Sequence, residues 1–169
     1  PGLRADLAVA MSLYHAVLDH LDRTPGIGQL RDALEDLRLP ARVEIFPGPP
    51  LSCLDAAHTP ESMASLRLAL EEIKFPQPRA LIFSLSSDKR REEVLAEAAS
   101  ISDEIIFTLA DETRSIPPAE LRDALGRGQV IEDPLEALEH ARRGGLNPII
   151  TGSFYLAGAL RPHLRAKSE

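Results

Sequence analysis

From Pro40 onward, short runs of strand-type residues alternate with stretches of helical periodicity, and this alternation constrains the fold more than any other feature of the chain. Strands are expected at 42–46, 51–54, 79–84, 104–108, 129–131 and 148–150. The first two are separated by the turn Pro47-Gly-Pro-Pro50. Helices are expected at 61–73, 88–100, 117–125, 134–143 and from the Thr151-Gly-Ser-Phe-Tyr155 turn to about residue 163. Prolines 117 and 118 fall in a first helical turn, where they are tolerated. Asp133 is placed to cap the helix that Gly144-Gly145 stops. Arg79-Ala-Leu-Ile-Phe-Ser84 has a continuously apolar centre, Ala80 to Phe83, as in a strand buried on both faces. Repeated β-then-α units give a three-layer α/β fold, a mostly parallel sheet of about six strands with helices on both faces.

The chain before Pro40 is different. Apolar residues at helical spacing run over 3–21, Thr24-Pro-Gly-Ile-Gly28 interrupts them, and the pattern resumes over 29–39 until Pro40. A helical hairpin, 1–39, therefore precedes the α/β region, 40–169. Its apolar face, with Leu7, Met11, Tyr14 and Leu18, is expected to bury against a partner or a second copy of the chain.

Composition excludes several classes of function. A net charge of −7 over 169 residues is a poor match for a nucleic-acid surface, and the one dense basic run, Lys89-Arg90-Arg91, is followed at once by Glu92-Glu93. The single cysteine, Cys53, permits no disulfide within the chain and no cysteine-based zinc site. It lies in an apolar run and reads as a small core residue. Low cysteine content fits a reducing compartment, here expected to be the cytoplasm. No apolar stretch is long enough to span a bilayer. The opening, Pro1-Gly-Leu-Arg-Ala-Asp, has neither the apolar core of a signal peptide nor a starting Met, as expected of a piece of a longer chain.

The densest chemistry lies in Leu51-Ser-Cys-Leu-Asp-Ala-Ala-His-Thr-Pro60, a strand end, a polar turn and a helix N-terminus within a dozen residues. Open α/β sheets bind ligands at this junction. Asp55 and His58 occupy it. Other strand ends add Ser84 to Lys89, Thr108 with 111–113, and 151–153. The rim thus collects a carboxylate, an imidazole, an ammonium and hydroxyls, a set suited to a phosphorylated or zwitterionic ligand. Each residue also has a plain structural role open to it: Asp55 and Thr151-Gly-Ser153 as helix caps, His58 as a loop residue, Lys89 as exposed charge. No Gly-x-x-x-x-Gly-Lys-Ser/Thr loop, no Gly-x-Gly-x-x-Gly after a strand, no Gly-x-Ser-x-Gly elbow and no metal-like histidine spacing is present.

Four stretches, in order, resemble the C-terminal domain of folylpolyglutamate and dihydrofolate synthases, members of the Mur ligase superfamily. That family typically reads Pro-Gly-Arg, a hydrophobic strand, then Asp-x-Ala-His-Asn-Pro; this chain has Pro40-Ala-Arg42 and Asp55-Ala-Ala-His-Thr-Pro60. A strand leading to an Asp-Lys pair is matched by Ala80 to Lys89, and a strand followed by Thr-Gly-Ser-hydrophobic-Tyr by Ile149 to Tyr155. Residues 1–39 look like the last helices of the family's central ATPase domain. Thr59 stands for the usual Asn, Ala41 for Gly, and Arg90 for an acidic residue.

The resemblance implies a ligase that joins glutamate to a folate or dihydropteroate carboxylate through an acyl phosphate, using ATP and Mg2+. The central domain of that family holds most of the nucleotide and metal, so this chain alone is expected to be inactive. Carried over by position, Arg42 and Asp55 contact ATP, His58 is the catalytic-site residue that positions the amino acid or acyl phosphate, and Lys89 and Ser153 face the glutamate carboxylates. No residue is implied as a metal ligand. Asp6 falls loosely where the family has a nucleotide-contacting Asn. Two other readings stay open: a non-catalytic α/β binding or interaction module derived from such a ligase, and an unrelated doubly wound domain.

Overall fold

A computed structural model describes residues 2–24, 26, 28, 31–32, 34 and 39–164. The chain divides into two units, Pro1–Leu39 and Pro40–Glu169. In the first, helix α1 (Gly2–His20) carries apolar side chains around much of its circumference. Leu7 and Tyr14 are exposed and so are Val9, Leu13 and Val17, whereas Met11 and Leu18 are half-buried. Of the second expected helix, 29–39, residues 31, 32 and 34 are helical, Leu39 is not, and the others lie outside the described residues.

The second unit is a six-stranded sheet: β1 (Glu44–Phe46), β2 (Ser52–Leu54), β3 (Arg79–Phe83), β4 (Glu104–Phe107), β5 (Gln129–Val130) and β6 (Asn147–Thr151). Its helices are α2 (Pro60–Glu72), α3 (Arg91–Ile101), α4 (Pro118–Leu125), α5 (Pro134–Arg143) and α6 (Phe154–Leu164). The strand order is β1-β2-β6-β3-β4-β5. Only β1 runs antiparallel, pairing Ile45 with Cys53 across the short turn; every other pair is parallel. The mostly parallel, three-layer α/β architecture is the one the alternation dictates.

The strands read as continuous apolar runs because both faces are covered. Successive side chains point to opposite sides. On one side Cys53, Leu81, Phe83, Ile105 and Ile149 pack with α2, α3 and α4 through residues such as Met63, Leu70, Val94 and Leu121. On the other, Leu54, Ala80, Ile82, Ile106 and Ile150 pack with α5 and α6 through Leu138, Leu156 and Leu160. Leu81 is wholly buried at the middle of β3, between β6 and β4.

Two element boundaries differ from expectation in ways that shape the site. Residues 42 and 43 are not strand, because Ala41 and Val43 adopt left-handed backbone (φ 53° and 47°) and make a tight loop before β1. Helix α3 starts at Arg91 rather than at 88, because the chain after β3 stays extended. Ser86 there bridges Ser115, and the Ser87 N–H donates to the Arg114 carbonyl at 2.9 Å. Asp88 and Lys89 are thereby held in a turn instead of a helix.

Truncating Leu81 to Ala leaves a cavity in the most constrained layer, with a cost of about 2–5 kcal/mol. Chemical denaturation is expected to show a lower midpoint at unchanged slope.

Candidate functional site

Strand β6 is inserted between β2 and β3, so the loops that leave β2, β3 and β6 are neighbours at the carboxyl edge of the sheet. A change in winding direction of this kind opens a crevice. The crevice here has a volume of about 360 Å³. His58 lines it from the β2–α2 loop, Ser86 to Lys89 from the segment after β3, Thr113 and Arg114 from the loop after β4, and Gly152 to Tyr155 from the start of α6. Three of the expected residues, His58, Lys89 and Ser153, therefore meet in one cleft. Arg42 and Asp55 do not line it. Arg42 lies beside it, with its guanidinium 5.2 Å from the centre of the Phe154 ring.

Asp55 organises the β2 side. It is 6% exposed, and each oxygen accepts a backbone N–H: Oδ2 from Val43 at 2.8 Å, Oδ1 from Ala57 at 2.7 Å. Burial pushes its carboxyl above the ordinary value near 3.8, while those two hydrogen bonds and the charges of Arg42 and His58 pull part of the way back. The Val43 bond fixes one flank of Arg42. The Ala41 N–H fixes the other by donating to Glu44 Oε2 at 3.1 Å, and Glu44 is gripped in turn by Arg161 of α6 through Nη2–Oε1 (2.7 Å) and Nε–Oε2 (2.9 Å). The left-handed loop that presents Arg42 is thus tied to the sheet and to a helix behind it. Arg42 donates once, to the Ala41 carbonyl at 3.1 Å, and among the described residues makes no ion pair. Cys53 is fully buried nearby, with a thiol raised by desolvation and by the Asp55 charge, so it is a packing residue.

His58 follows from the same loop. Its Nδ1 lies 2.7 Å from the Ala56 carbonyl oxygen. A carbonyl only accepts, so Nδ1 carries the proton and Nε2 is the nitrogen available to a ligand in the neutral ring. The ring packs 5.6 Å from Phe154. Thr59 caps α2, its Oγ1 accepting from the Ser62 N–H at 3.2 Å while Ser62 Oγ accepts from the Thr59 N–H at 2.9 Å. A threonine meets that capping need directly.

Across the cleft, Lys89 Nζ lies 2.7 Å from Asp88 Oδ2. Arg90 points away from the cleft and pairs with Glu61 and Glu93, which lowers the Glu61 carboxyl to about 2. Gly152 has φ +98°, and a Cβ there would meet the Ser84 carbonyl at 2.1 Å, so only glycine lets the β6 turn approach the end of β3. Next to it Ser153 is buried, and its Oγ accepts from the Tyr155 N–H at 3.1 Å.

The rim expectation was too generous for three hydroxyls. Ser84 is buried, its Oγ donating to Ser115 Oγ and accepting from the Ala110 N–H, each at 3.3 Å. Thr108 is buried and donates to the Glu132 carbonyl, and Thr151 is buried and donates to the Ala57 carbonyl; both close turns inside the domain rather than face the cleft. Ser86 and Ser87, part of the expected rim, do line the cleft; Arg114 and Phe154 line it without having been given a role. For Arg114 the available signal was Asp111, whose Oδ1 accepts from the N–H groups of Thr113 and Arg114 (2.9 Å each), an Asx-type turn. The Asp6 side chain lies outside those described. Among the described residues no group of three or more His, Cys, Asp or Glu converges to hold a metal ion. No described helix is long and apolar enough to cross a membrane.

A doubly wound sheet with this cleft is shared by known proteins. Residues 41–154 match the family described as Mur ligase, glutamate ligase domain, and the chain belongs to that family. Within it, the similarity is to folylpolyglutamate synthases. The folylpolyglutamate synthase of Lacticaseibacillus casei is 31% identical over 142 residues, covering 80% of this chain and 32% of that protein. Among solved structures, Mycobacterium tuberculosis folylpolyglutamate synthase complexed with ADP and AMPPCP superposes with TM-score 0.79 at 22% identity, over 90% of this chain and 38% of that one. E. coli FolC in complex with DHPP and ADP gives 0.75 at 21%, over 83% and 34%. Folylpolyglutamate synthase from Thermotoga maritima gives 0.70 at 28%, over 87% and 35%. The chain spans about a third of the length of these relatives.

The charge arrangement makes a prediction. In a carbon-detected NMR titration, Asp55 should titrate above the ordinary aspartate range, and Arg42→Met should move it higher still by removing a favourable charge. Because the folded carboxyl holds its proton more tightly than the unfolded one, its contribution to stability declines as pH rises from about 4 through the folded value. An Asp55 that titrates at or below the ordinary value contradicts this account.

Proposed function

We propose that this chain forms the C-terminal part of an ATP-dependent ligase that adds glutamate to a folate or dihydropteroate carboxylate. In that reaction the carboxylate oxygen takes the γ-phosphoryl group of ATP and ADP leaves. The glutamate amine then displaces phosphate from the acyl phosphate to form the amide. The observation that carries the reading is the convergence of His58, Lys89 and Ser153 in one cleft, with Arg42 beside it, in a domain of the Mur ligase family. The DHPP and ADP bound to E. coli FolC, and the ADP and AMPPCP bound to the M. tuberculosis enzyme, support the same ligand classes here.

The geometry supports the roles that the family resemblance implies. Arg42 has guanidinium N–H groups left over after its single backbone bond and suits a nucleotide phosphate, which a planar fork neutralises and hydrogen-bonds together. Asp55 serves the nucleotide side, holding the Arg42 loop with one oxygen and keeping only a thin exposed edge for a ribose contact. His58 offers Nε2 to the incoming amino acid or the acyl phosphate. Lys89 and Ser153 supply an ammonium and a hydroxyl for the amino-acid carboxylates. Mg2+ and the grip on the triphosphate belong to other parts of the ligase, of which residues 1–39 are the end of the central domain. The exposed apolar residues of α1 are then a surface that the central domain covers or, in the isolated chain, a second copy.

Within its complete polypeptide the domain should support ADP release that depends on both glutamate and a folate or dihydropteroate acceptor. Arg42→Ala should cut kcat/KM for ATP by about 100-fold, as removal of one preorganised donor to a developing charge does. ADP release that no such acceptor and no glutamate stimulates would leave the non-catalytic binding module as the correct reading.

A further inference from the structure

Arg42 is attached to helix α6 at two places. Phe154, the first residue of the helix, has its ring centre 5.2 Å from the guanidinium. Arg161, seven residues further along, grips Glu44, and Glu44 Oε2 accepts the Ala41 N–H at 3.1 Å. Residues i and i+7 share one face of a helix, two turns and about 10 Å apart. The segment 41–44 therefore runs along a single face of α6, held by its guanidinium at one end and by its backbone at the other.

The second attachment is built for direction. Arg161 Nη2 meets Oε1 at 2.7 Å and Nε meets Oε2 at 2.9 Å, a fork that fixes how the carboxylate is turned as well as where it lies. The Ala41 N–H needs that orientation, because Ala41 is 6% exposed and an acceptor that swung away would leave a donor without a partner on a buried residue. Both neighbours of Arg42 hold left-handed backbone without being glycine, a conformation that persists only where the surroundings impose it. Asp55 imposes it at Val43, and Glu44, aimed by Arg161, imposes it at Ala41. The Ala41 carbonyl is held separately by the Ala56 N–H at 3.0 Å, so losing the Glu44 contact loosens the turn and leaves the sheet intact. Neither Glu44 nor Arg161 lines the cleft. Their side chains are 23% and 30% exposed, and a pair so open to water contributes little to stability, which leaves placement as the use of the fork.

We infer that Arg161 is a positioning residue for Arg42. Acting through Glu44, it sets the turn that carries the guanidinium, while Phe154 on the same helix face supports the guanidinium itself. This rests on the reading of Arg42 as a nucleotide-phosphate contact given above, and adds a residue that governs that contact without touching the ligand.

The test has two arms. In the nitrogen-15-labelled chain, the Phe154 ring displaces the Arg42 Nε–Hε signal. Arg161→Met should move that signal most of the way to its place in Phe154→Leu. Arg161→Lys, which keeps the charge and loses the fork, should move it only part of the way. Signals of β3 that stay in place show that the fold is intact. In the complete polypeptide, Arg161→Met should lower kcat/KM for ATP about 10-fold, less than Arg42→Ala does. Placed on top of Arg42→Ala, the same substitution should add nothing, because no guanidinium is left to position. An equal further loss in both backgrounds, or an Arg42 signal that Arg161→Met leaves where it was, overturns the inference and makes the pair purely structural. If Arg42→Ala itself leaves kcat/KM for ATP unchanged, the nucleotide reading of Arg42 falls and takes the catalytic consequence with it, while the NMR arm still decides whether Arg161 sets the place of Arg42.

Discussion

The architecture of the site depends on one buried carboxylate. Asp55 accepts from Val43 on one oxygen and from Ala57 on the other, so a single side chain joins the loop before β1 to the turn before α2. Those two segments carry Arg42 and His58. Burying a carboxylate is costly unless it is hydrogen-bonded, and here backbone donors supply the compensation. The chain can then hold Val43 in a left-handed conformation that a β-branched residue otherwise avoids. The cost is local, and its product is an arginine whose position does not rest on an ion pair of its own.

The aromatic pair at the start of α6 has a second organising role. Phe154 packs against His58 and lies under Arg42; Tyr155 lies under Arg114. Two adjacent rings at the start of one helix thus support the imidazole and two guanidinium groups. Both rings are about half-exposed, which is unusual for core residues and fits side chains that carry polar groups above them. Gly152 makes the arrangement possible by letting the turn sit against the Ser84 carbonyl.

The sequence disclosed the layers and missed the joints. Leu81 and Ile82 mark a two-sided strand by hydrophobicity alone, and Asp133 with Gly144 marks a helix at both ends, because these signals are local. His58, Lys89 and Ser153 were legible as strand-end polar residues, and the sheet brings them together. The boundary at Lys89 was misplaced because the extended course after β3 is imposed by residues 114 and 115, far along the chain. Thr108 and Thr151 looked like rim hydroxyls, yet both turn inward to close backbone gaps that only the folded domain contains. Arg114 carried one local sign, the Asx-type turn at Asp111; what brings it to the cleft is the tie between its carbonyl and the Ser87 N–H, a property of three-dimensional placement. The double engagement of Asp55 was equally invisible, since Val43 precedes it by a whole hairpin.

The insertion of β6 has a consequence for how the domain is made. Strands β2 and β3 never touch each other in the sheet, and each waits for residues 147–151 as its partner. As the domain emerges from the ribosome it therefore carries two unpaired hydrophobic edges from β3 until β6, and the centre of the sheet closes only when nearly the whole domain is out. Because Gly152 and Ser153 follow directly on that last strand, the cleft cannot be assembled before the sheet is complete. Partial products of translation have no ligand site to stabilise them, which makes them natural clients for chaperones and proteases.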